Sequence, residues 1–250
     1  MWFSLTLMLA LGASVLLNLL QIVAVIGGGG GTMTVAQDNL HEVILENNGS
    51  PYKVAVIEIN GIISSYSLDG TGKSMVDYVK LVLKRAARDN TVRAVILKVD
   101  TPGGEVLASD DIYRLIKDFQ EEQAKPVVAV MMGMATSGGY YVSSPCQWIV
   151  ANELTMTGSI GVIMHGYNYR GLMDKVGVEP ITFKSGKMKD MLSSSKRPQD
   201  ITTEERAIVQ AFIDETFGRF KLIVDEGRAF AAKKNGDDAR PLADDWEKYA

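Results

Sequence analysis

The chain is poor in soft metal ligands: across 250 residues it has one cysteine, Cys146, and two histidines, His41 and His165. A lone cysteine excludes an internal disulfide framework, and with so few histidines a Cys/His zinc site is not expected, nor any other metal or cofactor. Cys146 follows Pro145 in an apolar stretch and reads as a packed small hydrophobe. Proline is also scarce, at seven residues, and no block of the chain is compositionally biased, which argues against long disorder. The formal net charge of −4 leaves no basic footprint, so nucleic acid is set aside as a partner.

Charge is missing altogether from Trp2 to Ile26, where most residues are Leu, Val, Ile, Ala, Met or Phe. About 25 residues at a helical rise of 1.5 Å span a hydrocarbon core of roughly 30 Å with some tilt to spare. A cleaved signal peptide would have a shorter apolar region behind a basic start, and no Lys or Arg precedes this one. The reading is a retained single-pass transmembrane anchor over residues 2–26. The first charges after it are acidic and carry little weight in orientation, and the favoured topology places the body outside the cytoplasm. The five glycines Gly27–Gly31 then form a tether, continued by a linker to residue 52 with a short helix or strand around Leu40–Leu45.

What is present from Lys53 onwards is an alternation of strand and helix patterns in one domain, residues 53–250. Strands are expected at Val54–Ile59, Arg93–Val99, Val127–Val130, Trp148–Ala151, Ser159–Met164 and Pro180–Phe183. Helices are expected at Lys73–Asp89, Ser109–Gln123, near Ser137, at Tyr169–Val176 and at Thr202–Ala229. Repeated strand–helix units imply an α/β fold, a parallel sheet flanked by helices.

Two glycine-containing breaks follow apolar strands, where loops of α/β folds gather ligands. Asp100-Thr-Pro-Gly-Gly-Glu105 lets backbone amides approach a ligand closely. Gly133-Met-Ala-Thr-Ser-Gly-Gly-Tyr-Tyr141 places Ser137 among small residues at a strand-to-helix junction. A nucleophile needs that setting: an accessible oxygen beside amide donors able to hold an oxyanion. A helix N-cap is the plainer role for the same serine. As the base, His41 in the linker and His165 without a nearby acidic residue suit a Ser-His-Asp triad poorly. Lysine is the alternative. Its pKa must fall from about 10.4 to near 7–8, roughly 4 kcal/mol of desolvation and charge effects. Lys184, Lys187 and Lys189 stand together in Phe183-Lys-Ser-Gly-Lys-Met-Lys-Asp190, and residue chemistry alone does not choose among them.

Four stretches, in order, resemble the short-form signal peptide peptidase A family. They are Asp100-Thr-Pro-Gly-Gly-Glu, Met134-Ala-Thr-Ser-Gly-Gly-Tyr-Tyr, Thr157-Gly-Ser-Ile-Gly-Val-Ile-Met and Phe183-Lys-Ser-Gly-Lys-Met-Lys-Asp. The resemblance implies a Clp-protease/crotonase-like fold and a Ser-Lys peptidase acting on remnant signal peptides or other apolar, membrane-derived peptides. It implies Ser137 as nucleophile, Lys189 as general base, Gly104 and Gly138 as backbone oxyanion donors, and Ser159 as a hydrogen-bonding partner of the lysine. It also implies a ring-like homo-oligomer whose sites combine residues of neighbouring protomers. Family members continue past the long C-terminal helix into an Asp-Gly-Arg segment. This chain stops at Trp246-Glu-Lys-Tyr-Ala250, as a truncated sequence would. Two rival functions fit the same fold: a crotonase-type acyl-CoA enzyme, which uses paired amides but needs neither Ser137 nor Lys189, and a catalytically silent membrane scaffold.

Overall fold

Beta-branched runs alternate with amphipathic segments from Lys53 onwards, and they fold accordingly. A computed structural model describes residues 11, 12, 14, 16, 17, 42–67 and 72–249. The chain divides into two units, Met1–Gly49 and Ser50–Ala250. The expected anchor at 2–26 lies largely, and the Gly27–Gly31 tether wholly, outside the described residues. Among the described residues no helix is long and apolar enough to cross a membrane. Residues 42–45 are irregular, with Val43, Ile44 and Leu45 exposed, so the short element expected around Leu40–Leu45 is not seen there.

In the second unit the order is β1 (Lys53–Asn60), α1 (Met75–Arg88), β2 (Val92–Thr101), α2 (Val106–Gln123), β3 (Val127–Thr136) and α3 (Gly138–Ser143). Then come β4 (Trp148–Ala151), β5 (Met156–Gly158), α4 (Arg170–Val176) and α5 (Thr203–Asn235). All strand pairs are parallel, in the order β1-β2-β3-β4, and β5 pairs with the last residues of β3. Along β1 and β2 fully buried residues alternate with half-buried or exposed ones, so one face of the sheet carries most of the core. Ile57, Ile59, Val95, Leu97, Val99 and Val127 accordingly form one core with Val79 and Leu83 of α1 and Ile112 and Ile116 of α2.

Capping boxes start two helices: Ser74 with Asp77 opens α1, and Thr202 with Glu205 opens α5. The long α5 docks where α3 ends. Its Gly227 lies so close to Ser144 that a Cβ there would meet the Ser144 carbonyl at 2.8 Å. Arg228 donates to the carbonyls of Ser144 and Cys146 at 3.1 and 2.8 Å, which satisfies acceptors left over at the end of α3. Burial pushes the Cys146 thiol up to about 12, in keeping with a packed, unreactive side chain.

Two strand expectations are corrected. The segment 159–164 is irregular, and the strand lies before it at Met156–Gly158. Gly158 and Ser159 both adopt positive φ, 78° and 51°, which ends the extended conformation. Pro180–Phe183 forms no strand either. Among the described residues it has no ladder partner, and it leaves Ile181 and Phe183 exposed.

Candidate active site

The sheet delivers Ser137 by an irregularity in β3. Between the pairs Val99–Met131 and Thr101–Ala135, β2 advances two residues while β3 advances four. The surplus is held in place: the Met134 amide donates to Asp100 Oδ1 at 3.1 Å, and the Thr155 hydroxyl donates to the Met132 carbonyl at 2.7 Å. Such bulges re-aim a strand and gather next to active sites.

Immediately beyond it, Ser137 turns the chain into α3 with φ 52° and ψ −117°, a left-handed value unusual for a residue with a Cβ. Its amide is tied to the Gly158 carbonyl at 2.8 Å, and its own carbonyl accepts from Tyr141 at 3.0 Å. The hydroxyl makes no cap bond to the helix, so the plainer N-cap role is not the one it plays.

The Gly103-Gly104 loop packs against this turn so tightly that only glycine fits. A Cβ on Gly104 would fall 2.0 Å from the Ile63 carbonyl oxygen. A Cβ on Gly138 would meet Ser109 Oγ at 2.5 Å and the Gly104 amide nitrogen at 3.2 Å. The two amides expected as oxyanion donors are therefore neighbours, and among the described residues neither donates a hydrogen bond elsewhere. Paired amides kept free beside an exposed oxygen can stabilise the charge of a tetrahedral intermediate.

Glu105 fixes the loop. Its carboxylate accepts from the Ser65 hydroxyl and amide and from the Ser64 hydroxyl, while its amide donates to the Ile63 carbonyl. The Ser65 hydroxyl first, then the Ser65 amide and the Ser64 hydroxyl, hold its carboxyl below the usual carboxylate range. A depressed carboxyl contributes its full stability above its unfolded value of about 4.3 and loses it as pH falls through the lower folded value. Glu105→Gln is therefore expected to lower stability at neutral pH and to reduce the loss seen on acidification below about pH 4. Urea unfolding of both proteins between pH 3 and pH 7 checks this, and parallel pH profiles would contradict it.

A cleft of about 100 Å³ opens over this arrangement, lined by Ser137, Gly104, Gly138 and Tyr141, with Val162 and Phe220 among its apolar walls. Tyr141 is locked by its hydroxyl to Asp110 at 2.7 Å and packs against Phe220 and, edge-on, Tyr113. Burial and then that bond raise its phenol well above its ordinary range, so it stays protonated.

The structure thus brings Ser137, Gly104 and Gly138 together. Lys189 is exposed and does not line the cleft, and Ser159, next to the Gly158 carbonyl that holds Ser137, is exposed as well. The other lysines are occupied: Lys184 pairs with Asp190 at 2.8 Å and Lys187 with Glu204 at 2.5 Å. Among the described residues, Lys189 Nζ makes neither an ion pair nor a hydrogen bond. Sequence reasoning missed the contributions of α5 to the cleft, Thr216, Arg219 and Phe220. They lie about eighty positions from Ser137, and no local motif marks them.

A serine at positive φ on an α/β sheet, lining one cleft with two glycine amides that donate to no described residue, is an arrangement suited to acyl transfer. The model of peptidase family S49 matches residues 119–246, and the chain belongs to that family. It is 38% identical over 182 residues to a Synechocystis sp. protein provisionally named a protease, covering 73% of this chain and 61% of that one. It is 34% identical to an Enterococcus faecium protein provisionally named signal peptide peptidase SppA, over 76% of this chain and 55% of the relative. Protease 4 of Haemophilus influenzae is 33% identical over 74% of this chain and 29% of its own length. The chain therefore spans less than two thirds of each of these relatives. A solved structure of a membrane-bound stomatin-specific protease aligns with 48% of this chain and 52% of its own, at 26% identity and a TM-score of 0.39.

Proposed function

We propose that the chain is the catalytic part of a membrane-anchored serine endopeptidase of Clp-protease/crotonase-like fold. It hydrolyses apolar peptides such as remnant signal peptides. The observation that carries this reading is Ser137, held at φ 52° and opening on a cleft beside the free amides of Gly104 and Gly138. In the proposed reaction Ser137 Oγ attacks the scissile carbonyl while neutral Lys189 takes its proton. The carbonyl oxygen becomes an oxyanion held by the two amides. Collapse of the intermediate expels the amine, which receives the proton from Lys189, and water then hydrolyses the acyl-enzyme with Lys189 again as base.

Lys184 and Lys187 are held by Asp190 and Glu204, which leaves Lys189 as the one of the three whose ammonium group is not engaged by any described residue. Because Lys189 is exposed and away from the cleft of its own chain, the reading places it at the Ser137 site of a neighbouring protomer, with Ser159 hydrogen-bonding it there. A surface suited to a second copy supports this. Ile163, Tyr167, Leu172, Val176, Ile181 and Phe183, all exposed, fall in the chain segment that runs from the cleft-lining residues to the Lys189 loop. The apolar segment 2–26 anchors the assembly, with the catalytic domain outside the cytoplasm.

Complementation tests the shared site. Ser137→Ala and Lys189→Ala proteins are each expected to be inactive on an apolar peptide ester, and co-assembly of the two is expected to restore turnover. Turnover retained by either single variant would contradict the dyad. Inactive singles with no restoration in verified mixed oligomers would place serine and lysine in one subunit.

A further inference from the structure

The cleft over Ser137 has apolar walls and, among the described residues that line it, one charged side chain: Arg219. The face of α5 that carries it is fixed by burial. Phe220, Ile223 and Val224 are buried against Tyr113 and Tyr141, which turns Thr216 and Arg219, one turn earlier, towards the cleft. The Thr216 hydroxyl is already spent on the Phe212 carbonyl at 2.7 Å. The nearby carboxylate of Asp110 is already bound, by Arg114 at 2.7 Å and by the Tyr141 hydroxyl at 2.7 Å. Arg219 itself makes no hydrogen bond or ion pair with any described residue, yet it stands near enough to Tyr113 and Tyr141 to act on both phenols.

We infer that Arg219 is a specificity-determining residue that recognises a carboxylate of the substrate within the Ser137 cleft. The inference rests on the peptidase reading and adds to it a chemical preference. A guanidinium presents a planar fork that matches a carboxylate with two parallel N–H donors. The cleft, about 100 Å³, has room for a short side chain or a chain terminus. Two sources supply that chemistry: the C-terminal carboxylate of a peptide released by an earlier cut, and an Asp or Glu side chain close to the scissile bond. The first would direct the enzyme to products of a preceding endoproteolytic step, because an uncut precursor has no free carboxylate at that point.

Binding of fluorescent apolar peptides to the full-length chain in the Ser137→Ala background separates this inference from the chemistry of Ser137. One matched pair ends in a free acid or an amide, and a second carries an internal Glu or Gln. Affinity is expected to favour the carboxylate by about tenfold in one of the pairs, which identifies the source. Arg219→Gln is expected to bring that ratio to about one, Arg219→Lys to keep part of it, and Arg219→Glu to invert it. Arg219 is exposed, so these variants should fold. A carboxylate preference absent from both pairs, or unchanged in Arg219→Gln, would overturn the inference. A preference that depends on Arg219 in a protein without Ser137-dependent turnover would leave it standing while the peptidase reading fell.

Discussion

Ser137→Ala will reduce turnover of an apolar peptide ester by at least about 10³-fold, and Ser137→Gly will do the same while making the protein more stable. The two effects have separate origins. On the proposed mechanism loss of the oxygen removes the acyl acceptor, and single removals of nucleophile or base in serine hydrolases cost factors of that size or more. The gain in Ser137→Gly comes from the backbone: at φ 52° a Cβ is strained, and relieving a residue held in such a region is worth about 1 kcal/mol. For a domain of this size that is a rise of about 2–4 °C in the thermal midpoint, readable by calorimetry. If Ser137→Gly proved less stable than the wild type, the strain argument would fail.

Gly104→Ala is the second large effect, and it should damage both fold and activity. The new Cβ would stand 2.0 Å from the Ile63 carbonyl oxygen and 2.7 Å from the Ile63 nitrogen, and those backbone atoms are not free to swing aside. Ile63 is fully buried and hydrogen-bonded on both sides, to Gly103 and to Glu105. The loop must move, carrying the Gly104 amide away from Ser137, and on the proposed mechanism displacement of one oxyanion donor costs about 10²–10³ in rate. Forced overpacking of this kind adds a stability loss of about 1–3 kcal/mol. Gly138→Ala provides a contrast, because its closest clash at 2.5 Å is with Ser109 Oγ, a side-chain atom. Adding Ser109→Ala should recover part of the stability of Gly138→Ala, whereas no side-chain change can rescue Gly104→Ala. Equal rescue in both would show that the loop yields more easily than its backbone contacts imply.

How much of this was legible beforehand follows from which interactions are local. Strand β1, helix α1 and strand β2 are readable because β-branched runs and an apolar helical spacing dictate them, and Trp148–Ala151 falls where its composition places it. Helix α2 begins three residues earlier than its apolar periodicity indicates, at Val106, because Glu105 is fastened to Ser64 and Ser65 and starts it there. Those partners lie about forty positions away, and no window of sequence shows them. Strand β3 runs on to Thr136, because its surplus residues are stabilised by Asp100 and Thr155, again distant in sequence. Of the site, residue chemistry only suggests the two glycine motifs and Ser137, for which a tight turn and a helix N-cap are plainer uses, and it is the four ordered stretches that single them out. Residue chemistry did not separate Lys189 from Lys184 and Lys187; the family resemblance singled it out, and the ion pairs of the other two are compatible with that choice. The α5 face of the cleft was hidden for the same reason as α2's start: a long helix with weak amphipathic contrast says little about which neighbour it meets.

The central claim is that Ser137 is an acylatable nucleophile, and covalent labelling reads it most directly. The full-length, assembled protein is treated with a serine-reactive acylating or phosphonylating probe, and the modified peptide is identified by mass spectrometry. The account predicts modification at Ser137, lost in Lys189→Ala and strongly reduced in Gly104→Ala. An assembled, folded protein that takes no label, or takes it on another serine, would contradict it.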